Sequence, residues 1–189
     1  MNKKYELLKD QCIEHEGTTL YRIIALKDFG NVKAGTIGGY IREEYNLSHK
    51  GNCWVYDDAR VYGCAQVRDN ARICCDAHVY GYARVYEDAI ILNDAQIHDD
   101  AHIYGDAQIF NCAQVYGNAN IYGNAKVYKK AKVYGYAQVY GEAKIYGNAQ
   151  VYEDAEVFGC AEVFEYAEVY DRSVVFGEAW IHEYAELYN

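Results

Sequence analysis

Proline is missing altogether from the 189 residues, and methionine occurs once. Without proline there are no fixed kinks and no ladder positions that lack an N–H, so extended pairing is nowhere interrupted. Long apolar runs are missing too. No window is apolar enough for a membrane helix, and the polar opening Met1-Asn2-Lys3-Lys4-Tyr5-Glu6 does not read as a signal peptide. Basic residues are scarce: 18 Lys and Arg stand against 28 Asp and Glu, for a net charge of −10, and residues 151–189 alone carry −9. That balance disfavours bulk nucleic acid as a partner. The seven cysteines are odd in number and lack metal-type spacing, so they read as free thiols, in keeping with a cytoplasmic protein.

What is there is a repeat. A Val, Ile or Leu recurs at every sixth position from Val55 to Leu187. Ala stands two residues before each from Ala59 to Ala185, except at Ser173. Tyr or Phe usually follows the aliphatic residue, and then two corner-type residues, often Gly-Asn or Gly-Asp. A period of six fits neither a 3.6-residue helix nor a simple meander. Strand side chains alternate, so in Ala-Gln-Val-Tyr the Ala and Val point inward while Gln and Tyr point outward. The next two residues turn the chain, and Gly, Asn and Asp tolerate the left-handed backbone this requires. Strand and corner alternating, with one face always apolar, predicts a β-solenoid.

The phrase Ile121-Tyr122-Gly123-Asn124-Ala125 resembles the hexapeptide-repeat family, and the likeness runs over 41–189. Tyr122 and its equivalents depart from the family's small or acidic residue at the second position. The resemblance implies an all-β fold, a left-handed parallel β-helix: a triangular solenoid with about 18 residues per coil, so that residues 18 apart stack at about 4.8 Å. A small N-terminal β-hairpin cap over residues 1–40 is expected before the helix at 41–189. Its strands are read at Lys4–Leu8 and Thr19–Leu26, with a turn at Glu16-Gly17. Gly35, Gly38 and Gly39 mark the entry, and Ile41 and Leu47 open the first coil, with two extra residues before Val55. Leu20-Tyr21-Arg22-Ile23, Asp28-Phe29, Val32-Lys33-Ala34-Gly35, Asn46-Leu47-Ser48 and Gly51-Asn52-Cys53-Trp54-Val55 are similar to a YdcK-like group of bacterial and prophage hexapeptide proteins. That resemblance implies a phage or prophage setting, and hence host-cell cytoplasm.

Three outward aromatic columns follow from the 18-residue step. They run Tyr62 to Tyr188, Tyr86 to Phe176, and Tyr56 to His182, the last interrupted by Cys74 and Leu92. Stacked rings stabilise such faces and also offer contact area to a partner. A basic belt of Lys126, Lys129, Lys130, Lys132 and Lys144 lies beside Tyr128, Tyr134 and Tyr146, a pattern able to hold phosphates and stack a base. It is the candidate small-nucleotide site. Hexapeptide proteins are often acyltransferases, which by that resemblance need a His, usually an extruded loop and a neighbouring subunit. No loop interrupts Val55 to Leu187, and the histidines read as solvated surface groups. His78, His98 and His102 do not converge as zinc ligands. Asp58, Asp76 and Asp94 form a corner column able to hold a hard cation, although a hydrated corner explains it as well. No catalytic residue, metal or cofactor is assigned.

The reading reached is a non-enzymatic binding protein, a rigid solenoid engaging a host or defence protein through its aromatic faces or acidic end. A nucleotide or other small-molecule binder and an acyltransferase-like enzyme are the alternatives. A homo-oligomer is expected, most simply a C2 dimer meeting end to end through Val174, Phe176, Trp180, Ile181, Tyr184, Leu187 and Tyr188. A side-by-side trimer is the rival arrangement.

Overall fold

The computed structural model describes residues 3–189, so the first two residues of the expected cap lie outside it. Strands β1 (Tyr5–His15) and β2 (Thr18–Ala25) form an antiparallel hairpin. Its two-residue turn takes Glu16 at φ 49° and Gly17 at φ 73°. Two successive positive φ angles match the right-handed twist of a hairpin. The first strand runs seven residues beyond the expected Leu8. A bulge between Leu8 and Cys12 absorbs the polar Lys9-Asp10-Gln11 and breaks the alternation a sequence reading relies on.

Strand β3 (Ile37–Ile41) pairs antiparallel with β2 and parallel with Arg60–Val61, so it closes the cap and opens the solenoid at once. Gly38 and Gly39 are required by this closeness. A Cβ on Gly38 would stand 2.6 Å from the Val55 carbonyl oxygen, and one on Gly39 would stand 2.5 Å from that of Ala59.

From there the chain is a left-handed parallel β-helix of about 8 turns. Its two-residue strands lie on three faces. Face 1 carries β3, Arg60–Val61 and every third strand onward to Glu186–Leu187. Face 2 runs from Gln66–Val67 to Val174–Val175, and face 3 from Trp54–Val55 to Trp180–Ile181. In the first coil Ile41 sits opposite Val61 and Leu47 opposite Val67, a step of twenty; Val55 opposite Ile73 sets the step of eighteen that then holds throughout. The two extra residues lie between Leu47 and Val55, as the spacing predicts. Every inward Ala and aliphatic residue from Val55 to Val169 is fully buried. The interior is therefore a column of methyl and branched aliphatic groups, closed at the cap by Trp54, which packs edge-on against Phe29 at 5.4 Å and Tyr5 at 6.1 Å.

The corners have their own ladder. The first corner residue is left-handed in every coil, and its carbonyl accepts the N–H of the second corner residue one coil earlier, as in Asn118 N to Gly135 O at 2.7 Å. Glycine fills many of these positions, but Asp99, Asn111, Glu153 and Glu165 adopt the same angle. Their side chains accept the corner N–H of the next coil, for example Glu183 N to Glu165 Oε2 at 2.8 Å. A left-handed non-glycine residue costs about 1–2 kcal/mol, which one such charge-assisted bond of about 1.5–3 kcal/mol offsets. Ser173, the one break in the alanine column, also has a partner: its hydroxyl donates to Leu187 O at 3.0 Å.

Val127 and Ala125 face this interior with no exposed surface. Val127→Asp buries an unpaired charge and should cost roughly 4 kcal/mol or more. Ala125→Leu overpacks a methyl-sized slot at roughly 1–3 kcal/mol. Melting followed by circular dichroism should show both drops, and wild-type melting in both variants would refute the register.

Candidate functional site

The aromatic columns stand as the 18-residue step places them. Tyr116 lies over Tyr134 with centroids 4.8 Å apart and 1° between planes. Tyr122 over Tyr140 and Tyr128 over Tyr146 are 4.8 and 4.9 Å apart. At that spacing each ring covers its neighbour's face, so the columns present ring edges and hydroxyls outward. Toward the acidic end the hydroxyls are taken up by glutamates: Tyr146 donates to Glu162 and Tyr152 to Glu168, both at 3.0 Å. Burial comes first, and the bonded carboxylate second, in pushing the Tyr146 phenol up to about 12.

The basic belt wraps an edge of the prism. Lys126, Tyr128, Lys144 and Tyr146 share face 3, Lys130 sits at the corner, and Lys132 and Tyr134 lie on face 1. Lys144 Nζ is paired with Glu162 at 2.7 Å, which holds that carboxyl below its ordinary range. A cavity of about 230 Å³ here is lined by Lys126 and Lys144 but equally by Glu142 and Glu162. The faces of Tyr128, Tyr134 and Tyr146 are already covered by stacked neighbours. In the last coil Val174, Phe176, Trp180, Tyr184 and Tyr188 are exposed, with Tyr184 at 80%, and Ile181 and Leu187 are half-buried.

The three singled-out histidines go to different surroundings. His98 is a rung of the face 1 aromatic column, 4.8 Å from Tyr80 and 4.9 Å from Tyr116. His78 lies under the hairpin tip, its ring 5.1 Å from that of His15. His15 in turn meets Arg60 at 3.1 Å and the Tyr62 hydroxyl at 3.3 Å. Among the described residues no three His, Cys, Asp or Glu side chains are grouped to hold a metal, and Asp58 is paired with Arg22 at 2.6 Å.

His102 is placed differently. It stands on face 2, edge-on to Tyr86 at 6.4 Å, in a cavity of about 250 Å³ with Gln66, Arg68, Asp69 and Arg84. Gln66, Arg68 and Asp69 also wall a second hollow of about 500 Å³, completed by Glu44, Tyr45, Leu47, Ser48, His49 and Lys50 from the irregular first coil. The two hollows share these three residues as a common wall and are together the face 2 groove. Among the described residues neither Arg68 nor Arg84 has a carboxylate within ion-pair distance. Burial, and then the Arg84 charge, hold the His102 imidazole below its ordinary value of 6.5, so it is neutral near pH 7. The groove thus offers two guanidiniums without a carboxylate partner, that of Arg68 donating to the Gln66 side-chain oxygen, which suit charge-assisted capture of phosphate or carboxylate, beside a neutral base. The column Gln66–Arg84–His102 follows from the 18-residue step. In the wall from Glu44 to Lys50 the repeat marks only Leu47, and the residues around it left no such signal.

No family model matches the chain. It is similar to an Escherichia coli K12 protein named an uncharacterised acetyltransferase, YdcK, being 42% identical over 79 residues. The match covers 38% of this chain and 24% of that protein, so the chain spans about a quarter of its relative's length.

His78 and His102 are both held below 6.5, chiefly by burial. The unfolded chain therefore binds protons more readily than the fold below that value. Stability contributed by the neutral imidazoles is present above 6.5 and is lost as pH falls through the depressed folded values. The melting temperature should drop between pH 7 and pH 5, and His78→Gln with His102→Gln should make that drop smaller. An unchanged pH dependence in the double variant would contradict the burial of the two rings.

Proposed function

We propose that this chain, a hexapeptide-repeat left-handed β-helix similar to YdcK, binds a phosphate-bearing acyl donor in the face 2 groove and transfers its acyl group. The observation that carries this reading is His102, a neutral imidazole in a cavity flanked by two arginines without carboxylate partners. The acetyltransferase name of the relative supports the reaction class. In this reading Arg68 and Arg84 hold the phosphates of a coenzyme A thioester through charge-assisted hydrogen bonds. The His102 imidazole accepts the proton of an amine or hydroxyl as it attacks the thioester carbonyl carbon. The new C–N or C–O bond forms, the C–S bond breaks, and the thiolate leaves to be protonated. His102 is then a catalytic residue where the sequence alone assigned none.

Calorimetric titration with coenzyme A and mass-spectrometric detection of acetyl-coenzyme A consumption test this. Arg84→Ala should weaken binding roughly tenfold to a hundredfold. His102→Gln should keep binding and lower turnover by about a hundredfold or more. A folded wild-type protein that neither binds coenzyme A nor consumes the thioester ends the reading.

The exposed Phe176, Trp180, Tyr184 and Tyr188 favour a second reading, a binding scaffold whose last coil meets another macromolecule. The simplest partner is a second copy joined by a two-fold axis, with a host or defence protein as the target of the assembled scaffold. Light scattering should show a homo-oligomer that Trp180→Glu combined with Ile181→Glu dissolves. A monomeric wild type would exclude the second copy.

A further inference from the structure

Cys53 occupies an alanine position of the repeat, and it is where the cap and the first coil meet. Its side chain has no exposed surface, and Lys4 from the cap is 1% exposed. Lys4 Nζ lies 3.4 Å from Cys53 Sγ, donates to Cys53 O at 2.9 Å and reaches Gly51 O at 3.4 Å. The Phe29 ring is 4.8 Å away. Among the described residues no carboxylate pairs with this buried amine. An ammonium in such surroundings is costly, and burial favours its neutral, nucleophilic form. The sulfur faces only carbonyl oxygens otherwise, Ser48 O at 3.5 Å, Val67 O at 3.7 Å and Lys50 O at 3.8 Å. A thiolate is disfavoured there as well.

We propose that Lys4 and Cys53 are a modification site, joined by dioxygen into a covalent Nζ–O–Sγ bridge that ties the cap to the first coil. The thiol S–H bond and one N–H bond of the neutral amine break, and the second amine hydrogen stays on nitrogen. One S–O and one N–O bond form. Sulfur and nitrogen each give up two electrons, and dioxygen takes all four. One of its oxygen atoms becomes the bridge, and the other leaves as water with two of the three hydrogens. The product is neutral, so the buried ammonium no longer has to be accommodated. It also pins the segment from Ser48 to Cys53, whose first residues wall the face 2 groove. The proposal does not rest on the acyl-transfer reading.

Intact-mass and peptide mapping of the full chain, prepared in aerated and in anaerobic buffer, test it. The aerated protein should be about 14 Da heavier, one oxygen gained and two hydrogens lost. The gain should map to a Lys4–Cys53 cross-linked peptide and vanish on treatment with a dithiol. Cys53→Ala restores the residue used by the other coils, so it should fold normally and show no gain; Lys4→Arg should also lack it. The bridged form should melt roughly 5 °C above the reduced one, since a long loop is closed. Cys53 found as an unmodified thiol in aerated protein, or oxidised by about 32 Da without a cross-link, would overturn the proposal.

Discussion

Registration of each coil on the next by a fixed 18-residue step is the constraint on which the rest of this structure depends. Parallel strands of two residues are too short to specify their own register. The corner reinforces it, where a left-handed residue sits directly over another and its carbonyl accepts a backbone N–H from the coil before it. Once corners are aligned, every other residue is aligned with them. Alanine stacks on alanine inside, ring on ring outside. The same constraint explains Glu at left-handed positions, where that residue is ordinarily unfavourable: its carboxylate bonds the N–H that the next corner presents.

Columns of like residues have an electrostatic consequence. Charges of one sign 18 residues apart would repel along the axis, and the chain relieves this by changing residue type along a column. Lys126 and Lys144 are followed by Glu162, which pairs with Lys144 and accepts the Tyr146 hydroxyl. Gln150 meets Glu168 in the same way at 3.0 Å. The outward column of face 2 passes from Gln66, Arg84 and His102 to Glu156 and Val174. The hollow with Arg68 and Arg84 therefore lies toward the cap, the lysine belt in the middle coils, and the strongest excess of carboxylates in the last coils.

Regularity also limits where chemistry can reside. Uninterrupted coils give flat faces whose rings cover one another. Against hollows of about 250 and 230 Å³ on the uninterrupted coils, one of about 500 Å³ opens where the period is broken, at the first coil with its two extra residues and the short 3-10 turn Glu44–Asn46. That segment walls the groove that holds His102 at its far end, and it packs against the cap through Tyr5, whose hydroxyl donates to Leu47 O at 2.7 Å. Cap, first coil and groove are thus one mechanical unit.

The six-residue period made the solenoid, its inward and outward residues and the place of the two extra residues legible in the sequence, while its three faces and the aromatic columns followed from the triangular coil that the resemblance to hexapeptide-repeat proteins implies. With three phrases to a coil, the period becomes arithmetic: positions eighteen apart stack on each other. The same arithmetic separates Lys132 and Tyr134 from Lys126 and Tyr128, though they are close along the chain. Only the tertiary structure decided what the irregular cap and first coil lie against. That His15 covers His78, that Glu44 to Lys50 wall the groove beside Arg68, and that Lys4 reaches Cys53 all depend on the path of segments with no repeat. For those segments no spacing predicts a neighbour, because their backbone pairing is antiparallel, bulged or isolated and follows no fixed period.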